Sequence, residues 1–135
     1  MIGYTPTHEG NKEMWHEEDH KDDCVDVVIE FSSTLDVINE VNSPNLRLML
    51  DMFHLQHIRG NITHSVRDFL PLIGHVQIAQ VPHRNEPNTF GEINYGYVLK
   101  MLAEEGYSDW VGCEYHPKTF TEDGLGWIKE LGFSL

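Results

Sequence analysis

From Phe31 onward the apolar positions fall into a repeating rhythm. Phe31, Leu35, Ile38 and Val41 recur at helical spacing, and Pro44 closes the segment. Leu46, Leu48 and Leu50 alternate along a predicted strand that ends at Asp51. Ile62, Val66, Phe69 and Leu70 define another helical face, cut short near Pro71. Gly74 leads into a second strand, "HVQIAQV", which contains Gln77. Tyr95, Val98, Leu99 and Leu102 mark a third helix, with Gly106 placed to terminate it. "DWVGCEY" reads as a third strand carrying Glu114 near its end. Thr121 is expected to cap a last helix whose face is Leu125, Ile128 and Leu131, weakened by Gly124 and Gly126. The order is one helix, then strand–helix three times. Such alternation implies parallel strands covered by helices, an α/β architecture whose strands are apolar on both sides.

The beginning of the chain breaks this rhythm and divides it into residues 1–30 and 31–135. "HEGNKEMWHEEDHKDD" is acidic and without sustained periodicity, as expected of a solvated, poorly ordered leader. His16 and His20 stand four apart and could form a metal clip, although a solvated acidic segment is the simpler reading. "CVDVVIE" is strand-like but short.

Composition narrows the function classes. Nine Lys and Arg against 22 Asp and Glu give a formal charge of −13, which speaks against nucleic-acid binding by phosphate neutralisation. The 135 residues include 40% hydrophobic ones, enough for a packed domain. Two cysteines cannot build a disulfide framework, which suits a reducing compartment. The first residues carry no secretory pattern and no apolar run is long enough to span a bilayer, so a cytoplasmic protein without membrane attachment is expected.

The candidate chemistry lies at the strand ends. Asp51, Gln77 and Glu114 each sit at or near the carboxyl end of a predicted strand, and in a parallel barrel those ends converge on one rim. All three side chains offer oxygen, which suits hard cations such as Mg²⁺ or Mn²⁺. A single acid at a strand end more often caps a helix or pairs with an arginine. Three oxygen donors, one per strand–helix unit, favour the metal. His54 would project from the same rim as a donor or proton carrier. Arg84 lies in the wide loop "PHRNEPNTFGEIN", where a guanidinium can take a substrate carboxylate through two parallel bonds, or pair with Glu86 or Glu92. His57, His64, His75, His83 and His116 are read as structural or solvated.

Three stretches in order carry a more specific signal: "LRLMLDMFHLQ", "GHVQIAQVPHRNEPNTFGEINY" and "GYSDWVGCEYHP". Together they resemble the hydroxypyruvate isomerase family, among the xylose-isomerase-like TIM barrels, over about Phe31 to Gly132. The resemblance implies the C-terminal strand–helix units of a (β/α)₈ barrel. It implies Asp51, Gln77 and Glu114 as ligands of Mg²⁺ or Mn²⁺ on the sixth, seventh and eighth strands. Glu114 would also be one of two glutamates that exchange the substrate proton, with His54 and Arg84 touching a small hydroxy- or keto-acid substrate. The implied reaction is an aldose–ketose type isomerisation (EC 5.3.1) of hydroxypyruvate and 2-hydroxy-3-oxopropanoate through an enediolate.

One departure qualifies the expectation. The family's other catalytic glutamate lies on the fifth strand, and the nearest residue here, Glu30, stands too close to Asp51 to leave room for the helix between. A whole barrel takes about 250 residues, so a partial barrel is expected, truncated or completed by association with another chain. The alternatives are an inactive barrel fragment acting through such association, or a related sugar or keto-acid epimerase. Endonucleases of the same superfamily fit the −13 charge poorly.

Overall fold

A computed structural model of the chain describes residues 2–4 and 31–133. The segment containing His16, His20, Cys24 and Glu30 lies outside the described residues. The described chain runs β1 (Ile2–Tyr4), α1 (Phe31–Val41), β2 (Leu48–Asp51), α2 (Met52–Ile58) and α3 (Ile62–Phe69), then a 3₁₀ turn at Leu70–Leu72. It continues through β3 (Ile73–Ile78), α4 (Tyr95–Glu104), β4 (Val111–Cys113), α5 (Thr121–Gly124) and α6 (Gly126–Glu130).

The three strands read from the alternation are parallel neighbours, β2 beside β3 and β3 beside β4. β1 adds a fourth strand, antiparallel to β4. It falls within the stretch read as an acidic leader, where nothing in the apolar pattern announced it.

Strand alternation gives this sheet two chemically different faces. Leu48, Leu50, Val76, Ile78 and Val111 are buried on one face. The helices cover that face with Ile38, Met52, Leu55, Val66, Phe69, Val98, Leu99, Leu102, Trp127 and Ile128. Burial of these aliphatic and aromatic groups, at about 25 cal/mol per Å² of apolar surface, is the main stabilising term. The other face carries Met49, Asp51, His75, Gln77 and Gly112, and Met49 is 56% exposed there. A β-carbon on Gly112 would lie 2.8 Å from His75 Nε2 and 3.5 Å from Gln77 Cγ, so glycine leaves room for the histidine ring on this face. This is the division of an α/β barrel, helices outside and polar rim residues inside, built for part of its circumference.

Three expectations are revised in detail. Asp51 is followed at once by α2, where the sequence reading placed rim residues without a helix. Thr121 is the first residue of α5 and does not cap it: Phe120 holds the cap position, and no side chain bonds there. The last helical segment is also divided in two around Leu125, between the glycines expected to weaken it. Gly106 terminates α4 as predicted, at φ +94°, in the left-handed region open to glycine.

Candidate active site at the strand ends

Asp51, at the last position of β2, is paired in register with Gln77 on β3, and Gln77 is paired with Gly112 on β4. Glu114 follows β4 directly, and its N–H donates to Ile78 O at 3.1 Å. The register therefore delivers all three oxygen-bearing side chains to one end of the parallel sheet. Asp51 and Gln77 are buried, while the Glu114 side chain is about half exposed.

The aspartate serves two purposes. Its Oδ1 accepts from the N–H groups of Phe53 at 2.7 Å and His54 at 3.3 Å, capping α2. Its Oδ2 lies 3.8 Å from His54 Nε2 and 3.8 Å from Arg84 Nη2. The cap answers the cost of burying a carboxylate with two backbone donors and leaves the second oxygen facing the rim.

Arg84 is the centre of the arrangement. Its Nη2 is 2.8 Å from Glu114 Oε2, its Nε donates to Glu114 O at 3.2 Å, and its guanidinium carbon stands 5.0 Å from the Phe53 ring centroid. Besides a substrate carboxylate, the sequence offers Glu86 and Glu92 as partners for Arg84; the structure pairs it with Glu114 and sets it near Asp51. One cation thus stands between the two rim carboxylates. Arg84 holds a left-handed backbone, φ +57°, which a non-glycine residue adopts only when its surroundings fix it.

Those surroundings are a network the sequence reading passed over. The buried Gln80 amide donates to the carbonyls of Pro87, Thr89 and Ile93 and accepts from the N–H groups of Val81 and Ile93. Gly91 packs against it so closely that a β-carbon would sit 2.4 Å from both Gln80 Cγ and Val81 O. On the other side, His116 N–H donates to Arg84 O at 2.7 Å and Lys118 N–H to Glu86 Oε1 at 2.7 Å, joining the two rim loops. Tyr95 anchors α4 to the strand end by donating to Ala79 O and accepting from Ala79 N–H. Burial pushes its phenol far above the usual range, so it stays a neutral donor. Gln80 was detectable in principle: like Asp51, it is a polar residue inside an apolar run.

Cys113 lies among Ile78, Leu99, Trp127 and Phe133 on the apolar face, and burial pushes its thiol up to about 12. It points away from the rim chemistry.

Among the described residues, no three His, Cys, Asp or Glu side chains are grouped as a metal site. The rim nevertheless suits a hard cation in the kind of donor it offers: two carboxylates and an amide oxygen on adjacent strands, with a guanidinium already standing between the carboxylates.

A family model described as "Xylose isomerase-like TIM barrel" matches residues 16–131. The chain belongs to the xylose-isomerase-like TIM barrel family. It is 46% identical over 94 residues to the hydroxypyruvate isomerase of Escherichia coli K12, covering 70% of this chain and 36% of that protein. It is 47% identical over 95 residues to the 2-oxo-tetronate isomerase of Pectobacterium atrosepticum, covering 70% and 36%. Among solved structures, a family 2 AP endonuclease from Brucella melitensis superposes with a TM-score of 0.68 at 42% identity, over 71% of this chain and 37% of that one. The chain thus spans little more than a third of the length of these relatives. Among the described residues, no helix is long and apolar enough to cross a membrane.

Proposed function

We propose that this chain carries the metal and carboxylate rim of an isomerase interconverting hydroxypyruvate and 2-hydroxy-3-oxopropanoate. The observation that supports this most directly is the Arg84 guanidinium held between Asp51 and Glu114 at the strand ends, beside Gln77. Relatives named for hydroxypyruvate and 2-oxo-tetronate, both hydroxy- or keto-acid substrates, point to the same substrate class. Asp51, Gln77 and Glu114 would hold Mg²⁺ or Mn²⁺, which when bound would polarise the substrate carbonyl and hydroxyl oxygens.

Each remaining role falls to a side chain of suitable chemistry. Arg84 presents a planar fork to the substrate carboxylate, a group that a point charge would orient less well. His54, beside Asp51, donates to a substrate oxygen. Glu114, half exposed at the mouth, takes the proton from C3 of hydroxypyruvate to give the enediolate. The proton returns to C2, while the C3 hydroxyl proton passes to the C2 oxygen. The product is an aldehyde at C3 and a hydroxyl at C2, with no net gain or loss of electrons.

The test is an isomerisation assay on the full chain with hydroxypyruvate and Mg²⁺ or Mn²⁺, alongside Glu114→Gln. Turnover in the unaltered chain and its loss in the variant are expected. A second reading, an inactive barrel fragment acting by association with other chains, is favoured by the open inner face around Met49. Absence of turnover together with absence of a metal-induced thermal shift would select it. A sugar or keto-acid epimerase would show itself by inverting a stereocentre without producing an aldehyde. Nucleic acid is an unsuitable ligand for a chain of net charge −13.

A further inference from the structure

Two carboxylates at the rim, Asp51 and Glu114, share one guanidinium nitrogen, at 3.8 and 2.8 Å. The nitrogen occupies the place between the acids where a cation is most stabilised, so it competes directly with any divalent ion for those oxygens. The same fork is the group proposed above for the substrate carboxylate, and it cannot serve Glu114 and an incoming carboxylate with the same N–H bonds.

We propose that Arg84 is a resident counter-cation that couples metal binding to carboxylate binding. With no carboxylate present, Arg84 neutralises Asp51 and Glu114 and keeps metal affinity low. A carboxylate ligand draws the guanidinium away, leaves the acids without that cation, and raises their affinity for a divalent ion. By linkage the metal raises carboxylate affinity by the same factor. Charge is conserved through the exchange: Arg84⁺ moves from two protein carboxylates to one ligand carboxylate, and a doubly charged ion replaces it. The loop favours a side chain that moves over a backbone that does not. Arg84 is fixed at its carbonyl by His116 N–H, its neighbours are held by Gln80 and Glu86, and its side chain is still 19% exposed.

This inference rests on the metal reading above, and its test separates the two. Mn²⁺ binding to the full chain is followed by the EPR signal of the free ion, with and without saturating hydroxypyruvate and with a protein-free control. In the unaltered chain hydroxypyruvate is expected to tighten Mn²⁺ binding about tenfold, within the usual range of couplings between sites. Arg84→Gln, checked for folding by circular dichroism, is expected to bind Mn²⁺ about tenfold more tightly than the unaltered chain without hydroxypyruvate, and to gain little from it. Mn²⁺ binding that is insensitive to hydroxypyruvate in the unaltered chain overturns the coupling, whatever the variant does. So does weaker binding by Arg84→Gln. Absence of Mn²⁺ binding in both proteins overturns the metal site and the coupling together.

Discussion

Replacing Gln80 by leucine keeps the volume of the side chain and removes both ends of its hydrogen-bond network. The Gln80 Nε2 group stands 3.2, 3.1 and 2.9 Å from the carbonyls of Pro87, Thr89 and Ile93, and Oε1 accepts from Ile93 N–H at 3.0 Å. An amide has two protons, so the three carbonyl contacts count as about two bonds. Oε1 also accepts from Val81 N–H at 3.1 Å, so loss of the side chain leaves about four backbone groups without their partner, each costing about 1–3 kcal/mol if it stays dry. Water reaching the loop offsets part of this, which gives an expected destabilisation of about 3–5 kcal/mol. That is a large share of a typical total of about 5–15 kcal/mol. Urea unfolding followed by circular dichroism should show the midpoint falling by about 2 M, taking a slope of about 2 kcal/mol per M. The damage should be centred on the Arg84 loop, so trypsin should cleave after Arg84 faster in the variant under native conditions. A loss below about 1 kcal/mol with unchanged cleavage would refute the view that Gln80 holds this loop.

Three further outcomes are expected. Gly91→Ala would place a carbon 2.4 Å from the Val81 carbonyl, a backbone atom that cannot swing away, and should cost about 1–3 kcal/mol in the same unfolding experiment. Tyr95→Phe keeps the ring and removes both bonds to Ala79, so a loss of about 1–2 kcal/mol is expected, with the N–H of Ala79 exchanging faster by NMR. Burial raises both Cys113 and Tyr107 to about 12, so the folded chain keeps protons that the unfolded chain releases. Their contribution to stability should therefore be fully present below about pH 9 and be lost as pH rises toward 12. Alkylation at pH 8, read by peptide mass spectrometry, should leave Cys113 largely unmodified until the protein is unfolded.

The periodic parts of the chain were the legible ones. α1, α3 and α4 follow helical spacing, and β2 and β3 follow apolar runs, because burial of one face or of both leaves a pattern that residue order alone displays. α2 was missed because its polar positions, His54, Gln56 and His57, interrupt the apolar ones just after a residue already read as part of the rim. Asp51 caps α2 and stands beside Arg84, the plainer reading weighed for an acid at a strand end, while its second oxygen is not used by the cap. The pairing of Arg84 was illegible for a different reason. Nearby Glu86 and Glu92 looked like natural partners, but strand register brings Glu114 closer, and register is a property of the sheet, absent from the loop's own sequence. Gln80 shows the same limit: a polar residue in an apolar run announces a buried network without saying which backbone groups it serves.

The central claim is that the strand-end rim abstracts a proton from a small keto acid. The most direct measurement is proton NMR of hydroxypyruvate in D₂O with Mg²⁺ and the full chain, following loss of the C3 proton signal. Deuterium is expected to enter C3 faster than in protein-free solution, and Glu114→Gln should abolish the difference. Exchange no faster than in protein-free solution, or exchange equally fast with Glu114→Gln, would contradict the assignment of Glu114 as the base.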